Sequence, residues 1–436
     1  MDMHQKNYLN TVEGQVNLRR RRKRKRLLLN LTNLEPKSKN AISEEEAIAF
    51  QTTILTELDK LKKRYFKAPV ALELDFFPTK NDPPGIHTLA KNYLDLLQFP
   101  LPKLGTRRKR LVLEDDRQVK YLAVRYHIFP ERNRPRICLK IAPFKNLLDD
   151  AALLNKVKNN EFSESIGSYS RTRQLPISWN EHENEGNRHF HDDDAIDRFR
   201  ELEKKKTSWI AKFGEETYKV IREMQLIDVQ NHLLRRLALS FSQLFYLLSP
   251  LFSEIPEKTD RIYSEMRNFL ISPPLAVDLS HHDLKEGQSK IFKQIVEYAI
   301  EGFKKRSRYL FPLRVQLAVT ILFQPPATHG IDLDNLARKI IPFVNDQLQP
   351  LSNLLFTIDV HKVDDSFISR QLAAMRQTLS RMPKQSVTHF QIVQLPRLPS
   401  DCKHGFVRLL FEPGENSSTL WSKLEGMADE WQKAVE

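Results

Sequence analysis

Along most of the chain, apolar positions recur with one of two periods, and the two alternate in order. Ser43 and Glu46 have capping-box spacing, and apolar residues at 47, 48, 50, 54, 55, 58 and 61 recur as on one helical face, so a helix should run from Ser43 to near Lys67, before Pro69. VALELDFF then alternates apolar and polar residues, the period of a strand. A Pro-rich loop, PTKNDPPG, leads to a second helical stretch over His87–Leu97. After the basic loop GTRRKR, LVLEDDRQVKYLAVRYHI reads as strand, turn and strand.

The same succession returns near the C-terminus. IFKQIVEYAIEGFKK, within 288–305, is an amphipathic helix, LRVQLAVTILF a strand, QPPATHG a loop and DNLARKIIPFVND a helix, followed by a second acidic pair, Asp364–Asp365. Gly85 and Gly330, and Asp116 and Asp365, stand at nearly the same separation. That constancy predicts an internal duplication. Between the copies, 155–210 is polar with few apolar anchors and reads as a linker, and Thr217–Leu251 reads as one or two helices ended by Pro250 and Pro256. The division expected is a basic arm (1–40), a first module (41–150), a polar linker (151–215), a helical segment (216–284) and a second module (285–436). The fold class expected is α/β or α+β, each module a small sheet with helices.

Composition narrows the partners. The formal net charge of +14 makes a polyanion the expected partner, either nucleic acid or an acidic membrane surface. Leu237–Phe252 is too short and too polar to span a bilayer, so any membrane role is peripheral. No apolar signal-like region precedes the basic run, and two distant cysteines, Cys138 and Cys402, exclude a disulfide framework and fit a reducing compartment: cytoplasm, or nucleus if the host has one. Arg19, Arg20, Arg21, Arg22, Lys23, Arg24, Lys25 and Arg26 are eight cations in a row, which should repel one another and stay unpacked, as an arm on a phosphate backbone or a nuclear address. Arg107, Arg108, Lys109 and Arg110 extend that surface.

Ile331–Lys339 (IDLDNLARK) carries the candidate chemistry. If the segment is extended on entering its helix, Asp332 and Asp334 point the same way, Leu333 packs inward and Asn335 caps the helix. Two hard carboxylates suit Mg²⁺ or Mn²⁺, with Arg338 placed to offset phosphate charge and Asp364–Asp365 offering a third acid. Other acidic and histidine runs read as scaffold: His182, His189, His191 and Asp192–Asp194 as a solvated charge run, His281, His282 and Asp283 as a helix cap. No Walker loop, GxGxxG or GxSxG is present.

A strand, a Pro-containing turn, D-x-D-N-L-x-[K/R], a helix and a later D-D resembles the RusA family of Holliday junction resolvases, over 288–376. The resemblance implies a metal-dependent endonuclease acting as a homodimer on four-way DNA junctions. It carries the essential acids over to Asp332, Asp334 and Asp365, and the basic residue to Arg338, with Lys339 as a substitute. Two departures stand out. DDSFIS replaces the family's usual second motif, and Arg338 replaces its usual Lys. In the first copy Leu113–Val119 keeps the second motif, but GIHTLAKNY aligns His87 with Asp334, Thr88 with Asn335 and Lys91 with Arg338, and nothing replaces Asp332 unless Asp82 swings in. Two arrangements stay open: a dead first copy that still faces DNA, or a composite site in which Asp116 joins Asp332 and Asp334 across the halves. A non-catalytic nucleic-acid-binding scaffold and an RNA-directed nuclease are the rival functions.

Overall fold

A computed structural model describes residues 8, 11–80, 83–127, 134–158, 193–237, 276–278, 286–306, 310–326, 332–349, 354–363, 365–381, 385–395, 397, 405–414 and 418–436. The elements are α1 (Val12–Lys23), β1 (Leu27–Thr32), α2 (Glu44–Lys60), β2 (Val70–Phe77), α3 (Ile86–Gln98), β3 (Val119–Tyr126), β4 (Arg136–Pro143), α4 (Phe144–Lys158), α5 (Asp193–Lys204), α6 (Lys206–Phe213), α7 (Glu215–Leu237), β5 (Ala276–Asp278), α8 (Glu286–Arg306), β6 (Leu317–Gln324), α9 (Leu333–Gln347), α10 (Ser366–Arg381), β7 (Val387–Gln394), β8 (Phe406–Pro413) and α11 (Leu420–Val435). The mixed α/β class expected from the alternating periods is observed.

The eight strands form one sheet, in the order β1-β4-β2-β3-β7-β6-β8-β5. It reads the same from either edge. In the first half β2 pairs parallel with β3 and antiparallel with β4, which pairs antiparallel with β1. In the second half β6 pairs parallel with β7 and antiparallel with β8, which pairs antiparallel with β5. Even the irregularities match: the β2–β3 register shifts between Val70 and Ala71, and the β6–β7 register between Leu317 and Ala318. A shared bulge position is a family feature rather than an accident of packing, so the halves are copies of one unit. Antiparallel pairing of β3 with β7, Tyr121 opposite Val393 through Arg125 opposite His389, joins them about a pseudo-twofold axis.

Both faces of the sheet are covered. On one, α2, α3, α8 and α9 bury Phe50, Ile54, Leu89, Tyr93, Ile300, Leu336 and Ile340 against the apolar side of the strands. On the other, Trp421, Leu424 and Trp431 of α11 and Leu147 and Leu154 of α4 lie over Ala71, Ala123 and Ala142, whose small side chains let the indoles close on the sheet. The capping box of α2 forms as spaced, Ser43 and Glu46 bonding each other's backbone, but the helix stops at Lys60 because Lys62 turns left-handed at φ 53°. Residues 238–275, including most of the apolar Leu237–Phe252 run, lie outside the described residues. Among the described residues no helix is long and apolar enough to cross a membrane.

The basic run departs from expectation. It is not an unpacked arm: Thr11 caps α1 by accepting from the Gly14 amide, and the helix runs through Lys23. Arg19 and Arg22, three apart on one face of α1, and Arg26, just beyond its end, are buried. Their charges are met by acids of α4 and α11: Arg19 by Asp150 at 3.4 Å and by Asp429, Arg22 by Asp149 at 3.0 Å, Arg26 by Glu425. Repulsion within the run is outweighed because these three face acids while the cations between them face water. Arg20, Arg21, Arg24 and Lys25 remain exposed.

Burial pushes the Glu425 carboxyl up, but Lys140 and Arg26 outweigh it and hold it down at about 2. Its contribution to stability is therefore full above its ordinary 4.5 and is lost as pH falls from there toward 2. Arg19→Ala takes from buried Asp150 the nearer of its two cations, Arg22 remaining at 3.7 Å, and should cost about 3 kcal/mol in urea denaturation, whereas Arg21→Ala should leave the midpoint unmoved.

Candidate metal centre

The helix α9 opens with Asp332 as N-cap residue in extended backbone and Asp334 in its first turn. The expectation of alternating side chains on an extended strand is replaced by a different local geometry with the same result. Cap and first-turn positions share one end of a helix, where the exposed amides favour negative charge. Asn335 does not cap; its Nδ2 donates to Asp332 Oδ2 at 3.1 Å and fixes that carboxylate. Leu333 packs inward as expected, 1% exposed.

The third acid is not Asp365. That residue is exposed and caps α10, its Oδ1 accepting from the Phe367 and Ile368 amides at 2.7 and 3.1 Å. A helix follows the second acidic pair where the first pair is followed directly by a strand, so matching by separation along the chain misplaces it. Asp364 lies outside the described residues, as do Asp82, the 182–192 acid–histidine run and His281–Asp283.

Instead the first half supplies the acids. Ligand oxygens of Asp115, Asp116 and Asp332 all lie within 4.8 Å of one another, a group that could hold a metal ion. Gln118 builds the turn that carries the pair: its Oε1 accepts from the Glu114 and Asp115 amides at 2.8 and 3.1 Å, and its Nε2 donates to the Phe66 carbonyl. Asp115 Oδ1 accepts from the Arg117 amide at 2.8 Å, which draws its carboxyl below the usual range. Lys91, on α3, reaches the cluster from the opposite side, its Nζ 2.9 Å from Asp334 Oδ2 and 3.5 Å from Asp116 Oδ2. Arg117 stands 3.5 Å from Asp332 Oδ1. The candidate cluster thus draws on both halves, as in the second arrangement the sequence left open, but with Asp115 in the group and Asp334 outside it, ion-paired with Lys91.

Its electrostatics are those of crowded carboxylates. Burial raises Asp116, and the neighbouring Asp115 and Asp334 raise it further against the pull of Lys91. Burial likewise raises Asp332, with Asp116 and Asp334 adding to it. Lys91 is raised well above an ordinary lysine, since Asp334 and Asp95 outweigh the cost of its burial. Asp334 is 2% exposed. Its Oδ2 and Asp332 Oδ1 are shielded from water and face cations, the Lys91 ammonium at 2.9 Å and the Arg117 guanidinium at 3.5 Å. A cluster of oxygen-only donors suits a hard divalent cation.

Arg338 is exposed and has no ion pair with these acids; burial and, as the smaller cause, the Arg338 charge hold the His87 imidazole down at about 4. The cation that meets Asp334 and Asp116 is Lys91, the residue aligned with Arg338 in the first copy. Lys339 is half-buried and lowered by burial alone. Lys120, which sequence reasoning passed over, lies close enough to feel Asp332. Of the basic loop, Arg107 and Lys109 are exposed, while Arg108 is spent on Asp59 and the Lys63 and Arg64 carbonyls and Arg110 stacks over Phe99 at 4.3 Å.

Compared with family models, curated proteins and solved structures, the chain matches none of them.

Because the raised Asp116 and Asp332 oppose folding when ionised, Asp332→Asn should stabilise the metal-free protein at neutral pH by about 1 kcal/mol. Adding Mn²⁺ should erase that advantage by stabilising only the native sequence. Thermal denaturation with and without Mn²⁺ reads both effects; equal responses of the two proteins would remove Asp332 from any metal site.

Proposed function

We propose that this protein is a metal-dependent endonuclease that cleaves branched DNA, with Mg²⁺ or Mn²⁺ held by Asp115, Asp116 and Asp332 beside Asp334. The observation that carries the reading is the acidic cluster at the α9 N-terminus, in which oxygens of Asp115, Asp116 and Asp332, drawn from both halves, lie within 4.8 Å of one another. When bound, such an ion activates water and stabilises the oxygen leaving the scissile phosphate. The chain's own groups do the rest. Asn335 fixes the Asp332 carboxylate, the Gln118 turn fixes Asp115 and Asp116, and Lys91 and Arg117 supply positive charge where a phosphate would add negative charge. Exposed Lys62, Arg64 and Lys67 lie on the segment bridged to Leu113 through Phe66, and Arg107 and Lys109 adjoin it, giving a basic approach to the cluster.

A second reading has one observation in its favour. The Lys91 ammonium already sits among the carboxylates, a neutralised arrangement that a non-catalytic nucleic-acid scaffold could keep without any ion.

The resemblance to RusA-type resolvases supports the choice of substrate and predicts how it differs here. The two halves stand in for two subunits, yet among the described residues only one acidic cluster forms, so a single chain should nick a cruciform plasmid to open circles and a linear product should need two chains. Asp116→Asn, Asp332→Asn and Asp334→Asn should each abolish cleavage, by a factor of about 10² or more, while junction binding persists. Asp365→Asn, an equally good helix cap, should cleave like the native chain. If purified protein cleaves no branched DNA with Mg²⁺ or Mn²⁺, the scaffold reading stands instead.

A further inference from the structure

In the first half, four neighbouring strands each carry an exposed cation at the same end of the sheet. Leu27 at the start of β1 lies opposite Ile141 near the end of β4. Pro143 at the end of β4 lies opposite Val70 at the start of β2, and Val70 lies opposite Val119 at the start of β3. Lys25 precedes β1, Lys145 follows β4, Arg64 and Lys67 precede β2, and Arg117 precedes β3; all five are exposed. Hydrogen bonds hold these segments against one another. The Phe144 amide donates to the Pro69 carbonyl at 2.7 Å, and Lys63 Nζ donates to the Lys25 carbonyl at 2.9 Å. At the far end of the row Arg117 stands 3.5 Å from Asp332, so the row runs into the acidic cluster. The acids around it are committed elsewhere, Asp149 to Arg22, Asp59 to Arg108 and Glu57 to Lys60, while exposed Glu114 and Asp115 belong to the acid-bearing turn itself. Among the described residues Lys25, Arg64, Lys67 and Lys145 have no ion pair. Like charges are crowded here: burial and the Lys25 charge hold the Lys63 ammonium below the usual lysine range. The cations come from separate segments of the chain, so no single basic run announces them.

We propose that this row is the track for one duplex arm of a DNA substrate, which leaves the acidic cluster at the start of β3 and crosses the ends of β2, β4 and β1 with its phosphates against Lys67, Lys145 and Lys25. The inference rests on the reading of the cluster as the place where a strand is cut, and it adds where the uncut remainder of that arm lies. Neighbouring strands stand ~4.8 Å apart, so the three steps from β3 to β1 cover roughly 14 Å, about four base-pair steps of a duplex. Lysine heads on flexible stems meet phosphates as point charges, and phosphate contacts position a duplex without reading its sequence. The form of the surface favours a nucleic acid over an acidic membrane. Its cations lie in a line, and the line ends at carboxylates that an anionic bilayer surface would have to approach.

The test uses the full chain and a labelled four-way DNA junction in Ca²⁺, with binding followed by fluorescence anisotropy from low to moderate salt. Lys25→Gln, Lys67→Gln and Lys145→Gln combined should weaken binding about tenfold or more and reduce the salt slope by about 3, one for each lost phosphate contact. A variant with the same change in net charge, Lys204→Gln, Lys206→Gln and Arg370→Gln, removes exposed cations of α5, α6 and α10 and should keep the native affinity and slope. Urea midpoints check that both proteins fold; if that of the first falls, its three single variants, each lowering the slope by about 1, take its place. Equal losses in the two triple variants would overturn the track and leave only an effect of net charge. Native affinity and slope in the first variant would overturn it too, as would a native chain that binds no DNA at low salt. Vesicles of phosphatidylcholine and phosphatidylserine give the membrane arm: loss of vesicle binding in the first variant with junction binding intact would assign the row to a lipid surface instead. A chain that cleaves no branched DNA with Mg²⁺ or Mn²⁺ but shows the expected slopes would lose the nuclease reading and keep the track.

Discussion

The antiparallel pairing of β3 with β7 is the constraint on which the rest of this molecule depends. Five residue pairs join two four-stranded halves into one sheet and set them about an axis. The first half places its Asp115–Asp116 turn just before β3, and the second half places α9 just after β6, the strand beside β7. Pairing the central strands therefore carries the Asp115–Asp116 turn of one half to the α9 terminus of the other. Among the described residues, neither half holds the three clustered acids alone. The apolar core beneath α2, α3, α8 and α9 is likewise shared by both halves, so strand pairing and packing stand or fall together.

Joining two copies in one chain also frees each from the other. In a symmetric pair of identical subunits, any change at one site appears at both. Here one site keeps Asp332 and Asp334 while its counterpart carries Gly85 and His87, and the accompanying cations, Lys91 and Arg338, have diverged with them. The helix α10 inserted before β7 belongs to the same loss of symmetry, since it separates the second acidic pair from the strand that would have positioned it. A mixed arrangement of this kind is open only to a chain that already contains its own partner.

Much of this order was legible because it is periodic. The strand VALELDFF, the helix cap at Ser43, and the recurrence of helix, strand, loop and helix all follow from local rules, and the expected duplication follows from their repetition. The cap at Asp332 did not, Asn335 being the expected one. The grouping of Asp116 with Asp332 was legible only as one of two open arrangements, because it depends on a strand pairing between residues far apart in sequence, and separation along the chain pointed to Asp365. The signal available was the intact second motif in a copy whose first motif was lost, which makes sense if the copies trade parts. Lys91 was hidden for the same reason: its role comes from the packing of α3 on α9, not from its neighbours in sequence.

The charge of the chain has to be read after folding rather than before. Arg19, Arg22 and Arg26 contribute to the net +14, but they are buried against Asp149, Asp150, Glu425 and Asp429 and hold α1 against α4 and α11. A cation already paired in a dry contact cannot release counterions from a nucleic acid, so these residues anchor the fold and add little to a phosphate footprint. The exposed cations beside the acidic turn are Lys62, Arg64, Lys67, Arg107 and Lys109. Positive charge thus borders the acidic cluster, a local contrast in sign that the total charge does not reveal.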